Sequence, residues 1–209
     1  NNRQHDIAQA KILGGGSSIN GMVYMRGKPS DYSSWEKETG DKNWSWNSIL
    51  KNYITLENNQ NLKNDFHGNG GPLKVSDPGY VVKGSELYIE SMKNLGLPYK
   101  NDFNTGEQYG TGLMQYTINN GKRCDAVSAF IKPIFNNKKL TIFLKTLVTN
   151  IILENKKAIG VEILKNGKPS KVYANEEIIL TAGSFISPKL LMLSGIGDEE
   201  QLKTFNINI

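Results

Sequence analysis

The sequence predicts an α/β fold, and three observations carry that prediction. In the first half, apolar residues recur at helical spacings of three and four, at Ile49, Leu50, Tyr53, Ile54 and Leu56 and again at Leu87, Tyr88, Met92 and Leu95. From position 140 the period becomes strand-like, and Asn166-Gly167 supplies the strongest hairpin turn of the chain. The apolar run Ile178-Ile179-Leu180, suited to a strand buried on both faces, then leads into the small-residue turn Ala182-Gly183-Ser184 and a further helix.

Taken in order, Gly14-Gly15-Gly16-Ser17-Ser18-Ile19-Asn20-Gly21 reads as a glycine loop and 19–25 as a short helix, after which Pro29, Ser30 and Asp31 supply turn or capping chemistry ahead of Tyr32 and Trp35. Trp44-Ser45-Trp46-Asn47 precedes a helix ending near Glu57, and 58–64 is a solvated loop. Leu73 and Val75 mark a short strand closed by Asp77-Pro78-Gly79. Ser85 then caps a helix that Gly96 and Pro98 end. Strands are expected at 140–144, 148–153, 158–164, 171–174 and 177–182. In the last helix Ser187 caps, Pro188 takes the first position, and Gly195 stops the run Leu190-Leu191-Met192-Leu193.

Totals narrow the function classes. A chain of 209 residues can form one ordinary domain or parts of two. Hydrophobic content of 38% with 22% charged residues is that of a soluble globular protein, and no run of about 18 apolar residues suggests an integral membrane segment. Net charge is +5, yet the lysines are scattered among asparagines and acids rather than gathered into a stripe, which argues against nucleic acid as a partner. Cys124 is the only cysteine, so an internal disulfide and a CxxC metal or redox site are both excluded. Asn43-Trp44-Ser45 fits a glycosylation acceptor, but one such match is expected by chance in so asparagine-rich a chain. The first residue is Asn1, and the glycine loop follows without a targeting segment, as expected of an internal piece of a longer chain.

Chemistry concentrates in two small-residue stretches, the glycine loop and Ala182-Gly183-Ser184-Phe185-Ile186-Ser187-Pro188 with its continuation Ser194-Gly195-Ile196-Gly197. A strand that ends in such a turn and starts a helix exposes backbone N–H groups in the positive field of the helix terminus, where phosphate or pyrophosphate binds. Neither stretch has the GxxxxGK[ST] lysine or the strand-borne GxGxxG fingerprint. The residues alone therefore fit either a nucleotide or cofactor cradle, or turns that allow close helix packing.

A resemblance goes further. Ala10-Lys11-Ile12-Leu13-Gly14-Gly15-Gly16-Ser17-Ser18-Ile19-Asn20, with Tyr24, Gly27 and Ser33, resembles the first motif of the glucose-methanol-choline (GMC) flavin oxidoreductases. Residues 183–197 resemble the second throughout. His67-Gly68-Asn69-Gly70-Gly71-Pro72-Leu73 and Arg123-Cys124-Asp125-Ala126-Val127-Ser128-Ala129-Phe130 are similar to the intervening segments, so that nearly the whole chain is covered. Its closest flavour is the insect glucose-dehydrogenase-like branch, which points to an extracellular setting.

The resemblance implies a partial FAD-binding (Rossmann-like) domain, with a central strand meander and a helix-rich substrate-side or cap excursion. Residues 1–35 and 131–197 would be parts of the FAD-binding domain, 36–130 the excursion, and 198–209 the lead-in to a C-terminal region. It further implies oxidation of a CH–OH group in a small alcohol or sugar, with hydride passing to FAD and then to an electron acceptor, oxygen or a quinone. Carried over by position, Gly15, Gly16, Ser17, Asn20, Gly21, Met22 and Val23 would line the flavin and pyrophosphate; Val148 would meet the adenine and Ala182-Gly183 would pass under the cofactor. Asn20 fills the Asn/His position of the motif, so non-covalent FAD is expected. The family's N-terminal strand–GxGxxG–helix would lie upstream of Asn1 and its catalytic histidine pair, or His/Asn pair, beyond Ile209. No catalytic residue and no metal ligand is therefore expected within these residues, and little activity from them alone.

Other residues have competing readings. His67 could be a base, but the resemblance places the base elsewhere, and a histidine in a glycine-rich loop serves more often as a turn-stabilising donor. The same loop is similar to an esterase oxyanion loop, yet no G-x-S-x-G nucleophile follows. His5 is expected to be exposed. Trp35, Trp44 and Trp46 could stack on a sugar, although packing between helices is the preferred reading. Arg123 suits a cofactor phosphate or substrate, or a carboxylate within the fold. Two alternatives to an enzyme remain, a non-catalytic truncated remnant and a generic nucleotide-binding module. The coding sequence beyond Ile209 discriminates the first, and binding of ADP with indifference to FAD would favour the second.

Overall fold

The computed structural model describes residues 2–208, which fall into two compact units, Asn1–Leu140 and Thr141–Ile209. Asn1 and Ile209, the outer ends of the expected segments 1–35 and 198–209, lie outside the described residues. In the first unit the elements run β1 (Val23–Tyr24), α1 (Pro29–Thr39), α2 (Trp46–Leu56), β2 (Glu57–Asn59), β3 (Leu73–Val75), α3 (Lys83–Asn94), β4 (Gln115–Tyr116), β5 (Ile118–Asn119) and β6 (Lys122–Arg123). They pair as three two-stranded ladders: β1 with β4 and β5 with β6 are antiparallel, and β2 with β3 is parallel.

Local chemistry sets the helix limits. Pro29 opens α1 at its first position, and the Asp31 carboxylate accepts the Lys28 N–H at 2.8 Å. Gly40, at φ 68°, closes the helix. Helix α2 spans the expected residues, and the chain leaves it in extended form at Glu57. The N-cap residue of α3 is Val82, so Ser85 lies inside the first turn rather than at the cap. The other end follows expectation, because Gly96 at φ 90° lets its own N–H reach Lys93 O and the Leu97 N–H reach Met92 O.

Two expectations for this unit are corrected. Residues 19–25 form no helix: Met22 sits at φ 62°, with its N–H on Asn20 Oδ1, and the chain turns into β1. Asn58 and Asn59 are not solvated loop but strand, since Asn59 is buried and its side-chain amide has partners inside the fold. That detail is general here. The buried side chains of the first unit are more often polar, as in Arg26, Glu57, Asn59, His67 and Gln115, than apolar, as in Tyr32, Val75, Phe103 and Ala129.

The second unit is an antiparallel meander, β7 (Thr146–Glu154), β8 (Lys157–Lys165) and β9 (Lys168–Tyr173), followed by α4 (Ile186–Leu193) and α5 (Glu199–Thr204). Asn166 and Gly167, at φ 50° and 74°, make the expected two-residue turn between Lys165 and Lys168. The β7–β8 turn uses the same geometry with Asn155 at φ 50° and Lys156 at φ 64°. Val148 pairs with Ile163 and Asn150 with Glu162, which leaves Thr149 as an extra residue, a β-bulge. Helix α4 packs on β7, and Ser194 ties the two: its hydroxyl accepts the Ile151 N–H at 2.9 Å and donates to Leu190 O at 2.7 Å. Ile151, Ile163, Leu190 and Leu202 are the buried apolar side chains of this unit.

Three expectations fail here for stated reasons. Residues 140–144 are not a strand, because the Leu140 N–H turns back to Asn137 O at 2.9 Å and Lys145 at φ 51° separates the segment from β7. A strand exists only by its neighbour. No main-chain partner runs along 177–182 among the described residues, and Ile179 is 75% exposed. Helix α4 also starts earlier than Ser187, with Phe185 as N-cap residue and Pro188 third in the helix, where an N–H would have no intrahelical acceptor. No helix among the described residues is long and apolar enough to cross a membrane.

Lys156 carries a side chain at a left-handed position that glycine occupies freely. Lys156→Gly is expected to stabilise the full-length protein by up to about 1 kcal/mol in urea unfolding; an unchanged or lower midpoint counts against strain at this turn.

Candidate functional site

The glycine loop divides into two kinds of glycine. Gly14, at φ 92°, is required by the chain itself: a Cβ there would strike Ser18 Oγ and come within 3.0 Å of Val127 Cγ2. Gly15 and Gly16 open the single 3₁₀ turn Gly15–Ser18, and a Cβ on either of them, or on Gly21, would find no heavy atom within 4 Å. At these three positions the backbone is bare towards open space, which a bound group can fill.

The segment expected to lie between the two motifs holds this turn. Arg123 Nη1 donates to Ser17 O at 3.1 Å, to Asn20 O at 2.8 Å and to Asn20 Oδ1 at 2.8 Å. The Ala126 N–H donates to Ser17 Oγ at 2.9 Å, and that hydroxyl donates to Gly14 O at 2.6 Å. Asp125 caps the next turn by accepting the Ser128 N–H at 2.7 Å, and this bond, foremost, holds its carboxyl below the usual range. The turn it caps is a π-helical stretch, Val127–Ile131, whose Val127 packs on Gly14. Within the fold, Arg123 thus serves main-chain and amide oxygens of the glycine loop rather than the carboxylate expected.

His67 proves to be neither base nor simple turn donor. Its side chain is wholly buried between two carboxylates, with Nδ1 3.0 Å from both Glu57 oxygens and Nε2 2.8 Å from Asp102 Oδ2. Burial alone would lower its pKa, but hydrogen bonds to Asp102 and Glu57 and their charges raise it from 6.5 to about 9. Both nitrogens therefore donate, and the ring is an imidazolium at neutral pH. Glu57 also binds Arg26 Nη2 at 2.6 Å, Asn59 Nδ2 at 2.9 Å and the Gly68 N–H at 3.1 Å. Burial would raise its carboxyl, but His67 first, then Asn59 and Arg26, hold it below 4.5. Asp102 is likewise held below 3.8 against its burial, chiefly by His67.

Arg26 completes the cluster. It donates to Phe66 O at 2.6 Å and lies over the Tyr53 ring at 4.9 Å, and its own N–H donates to Asn104 Oδ1 at 2.8 Å. Since β1 ends only two residues earlier, the cluster anchors the strand that continues from Met22 and Val23. Two of the three glycines after His67 serve the same packing: a Cβ on Gly68 would strike the Ile54 carbonyl, and one on Gly71 the Leu56 carbonyl, while Gly70 faces open space. With its N–H on Glu57, Gly68 offers no oxyanion donor. Trp46 stacks on buried Tyr32, as packing predicts, while Trp35 and Trp44 meet edge to face and stay 49% and 37% exposed. His5 is exposed.

In the second unit, Val148 lies beside the bulge on β7, an edge strand of the meander, and Asn150 Oδ1 is buried without a hydrogen-bond partner among the described residues. Ala182 and Gly183 are exposed; Gly183, at φ 94°, has open space at its Cβ position and accepts the Ser187 N–H at 2.9 Å. The structure therefore gathers Gly15, Gly16, Ser17, Asn20, Gly21, Met22 and Val23 into one turn-and-strand segment of the first unit. Val148, Ala182 and Gly183 belong to the second. Arg26, Glu57, Asn59, Asp102 and Gln115 carry no individual signal in the sequence, because their partners lie far along the chain.

The GMC oxidoreductase family model matches residues 1–207. The chain is 39% identical over 209 residues to an oxygen-dependent choline dehydrogenase of Rhizobium etli, covering 100% of this chain and 38% of the relative. It is 38% identical to an ecdysone oxidase of Bombyx mori, covering 96% and 31%. Among solved structures it is similar to pyridoxine 4-oxidase from Mesorbium loti, at 33% identity and TM-score 0.91 over 96% of this chain and 40% of that one. It is also similar to an FAD-dependent oxidoreductase from Chaetomium thermophilum, at 32% identity and TM-score 0.93 over 100% and 38%. The chain belongs to the GMC oxidoreductase family, and FAD is the cofactor of that class. It spans well under half the length of the relatives it matches.

The buried imidazolium makes stability depend on pH in both directions. With a folded pKa of about 9 against 6.5, the His67 contribution is complete below about pH 6.5 and lost as pH rises through about 9. The two carboxylates, held below 4.5 and 3.8, contribute above those values and lose their contribution on further acidification. Urea-unfolding stability of the full-length protein is expected to peak between about pH 4.5 and 6.5. His67→Leu is expected to remove about 3–5 kcal/mol at pH 6 by leaving two buried carboxylates without their cation. A flat pH profile, or a loss below about 1 kcal/mol, would refute the charged cluster.

Proposed function

We propose that this chain forms the backbone cradle for FAD in an oxidoreductase that oxidises the CH–OH group of a small alcohol or sugar. The observation that carries the reading is the side-chain-free backbone at Gly15, Gly16 and Gly21, open to space and fixed from behind by Arg123 and Ala126. Bound there, FAD would supply the hydride-accepting chemistry. The protein's part is to bind and orient. The Gly15, Ser17, Ile19 and Asn20 N–H groups are spent on carbonyls of the loop itself, so what the turn offers is bare glycine backbone at Gly16 and Gly21 for close approach of the cofactor, already set in place by the clamp. Asn20, Met22 and Val23 line the ring. Asn20 has no nucleophilic ring nitrogen, so the cofactor is held without a covalent link. Residues 1–35 and 131–197 make up the cofactor side, with 36–130 towards the substrate. Relatives named for choline, pyridoxine and ecdysone support an alcohol as the substrate class.

The test exploits the open space. Neither Gly16 nor Gly21 has a positive φ, and neither Cβ position meets the chain, so Gly16→Val and Gly21→Val are expected to leave the melting temperature of cofactor-free full-length protein unchanged. FAD affinity is expected to fall at least about tenfold in each, by about 1.4 kcal/mol or more. Retention of wild-type FAD affinity by both variants would overturn the cradle.

A further inference from the structure

We infer that Arg123 is a positioning residue for the cofactor, acting through Asn20: it locks the Asn20 amide so that the NH2 group, and not the oxygen, faces the bound ring. The inference rests on the reading of Asn20 as a flavin-facing residue and adds which of its ends faces the flavin and why.

Two donors converge on one atom of that amide. Arg123 Nη1 is 2.8 Å away and the Met22 N–H 3.1 Å away. A guanidinium and a backbone N–H can only donate, so the atom between them is the oxygen; the flipped amide would set its own NH2 against both. The same Nη1 also holds Asn20 O and Ser17 O, which fixes the main chain on which the amide stands. Met22, at φ 62°, is pinned from its other side by the Thr117 N–H on its carbonyl at 2.8 Å. What remains free is Nδ2. It donates to nothing among the described residues, on an exposed side chain next to Gly21, where the backbone is bare. A fixed donor aimed at a ring that takes up electrons favours the electron-rich state, so this orientation sets the cofactor's potential as well as its affinity.

The test is a double-mutant cycle on the full-length FAD-loaded protein, with the two-electron reduction potential of the bound flavin as readout and thermal unfolding as control. Asn20→Ala removes the donor, and the flavin is expected to become about tenfold harder to reduce, about 30 mV for a two-electron couple. Arg123→Ala is expected to shift the potential in the same direction, and in the Asn20→Ala background to add nothing, because its effect passes through the amide. Should Arg123→Ala not fold, Arg123→Lys, which keeps the charge but loses the planar fork, completes the cycle with a smaller shift of the same sign. Additive shifts, or an Asn20→Ala shift with none from Arg123, would overturn the positioning role while leaving the flavin reading intact. Absence of bound FAD from the wild-type protein, or no shift in Asn20→Ala, would instead remove the flavin reading of Asn20 and this inference with it.

Discussion

The first unit depends on one buried cation held between two anions. His67 lies between Glu57 and Asp102, and Arg26 closes the other side of Glu57, so the positive and negative charges of the cluster balance within it. Charges so deeply withdrawn from water are tolerable only when each has its partner and its remaining hydrogen bonds, and here Asn59, Gly68, Phe66 and Asn104 supply them. The arrangement specifies as much as it stabilises. An apolar core of equal volume could slide, whereas this one has a single set of donors and acceptors that fit. It draws the end of α2, the glycine-rich loop after Phe66, the loop at Asp102 and the chain just beyond β1 to one point. That point is a few residues from Asn20 and Met22, so a structural cluster without chemistry of its own fixes the chain that follows the glycine loop.

A second theme is that glycine does two different jobs within a few residues. At Gly14, Gly68 and Gly71 the chain packs against itself so closely that a methyl group would collide. At Gly16 and Gly21 a side chain would meet nothing in the chain, and at Gly15 it is the φ of 54° rather than any contact that favours glycine. The first group keeps the loop rigid, and the second leaves its backbone bare. The Arg123-to-Ser128 segment links the two, since it packs on Gly14 through Val127 and fixes Ser17 and Asn20 through Arg123 and Ala126.

Much of this was legible in the sequence where the cause is local. Helix α2, the Asn166-Gly167 hairpin and the stop at Gly195 follow from spacing and turn chemistry that neighbours in the chain supply. Motif resemblance found the glycine loop and named the class. The failures share a different origin. Segment 177–182 has the composition of a central strand, but pairing belongs to two strands and cannot be read from one. Asn58 and Asn59 have the composition of a loop, yet a parallel neighbour and a buried amide make them strand. His67 was judged by its glycine-rich surroundings, whereas its role was decided by Glu57 and Asp102, both remote in sequence. Arg123 carries a charge that suits anions, but which oxygens of the glycine loop its Nη1 gathers is set by positions about a hundred residues away.

The bulge at Thr149 bears on how this region can evolve. It shifts the alternation of β7 by one, so Val148 and Ile151 owe their faces to the presence of an additional residue rather than to its identity. A substitution at position 149 would cost at most the bond from Thr149 Oγ1 to Glu162 O at 3.3 Å and leave the register in place. Loss of the residue, by contrast, would turn every preceding side chain of the strand over, exchanging what faces the meander's interior with what faces outward. Chain length there, more than sequence, is the heritable trait, and a single-codon deletion would do what no point substitution at that position can.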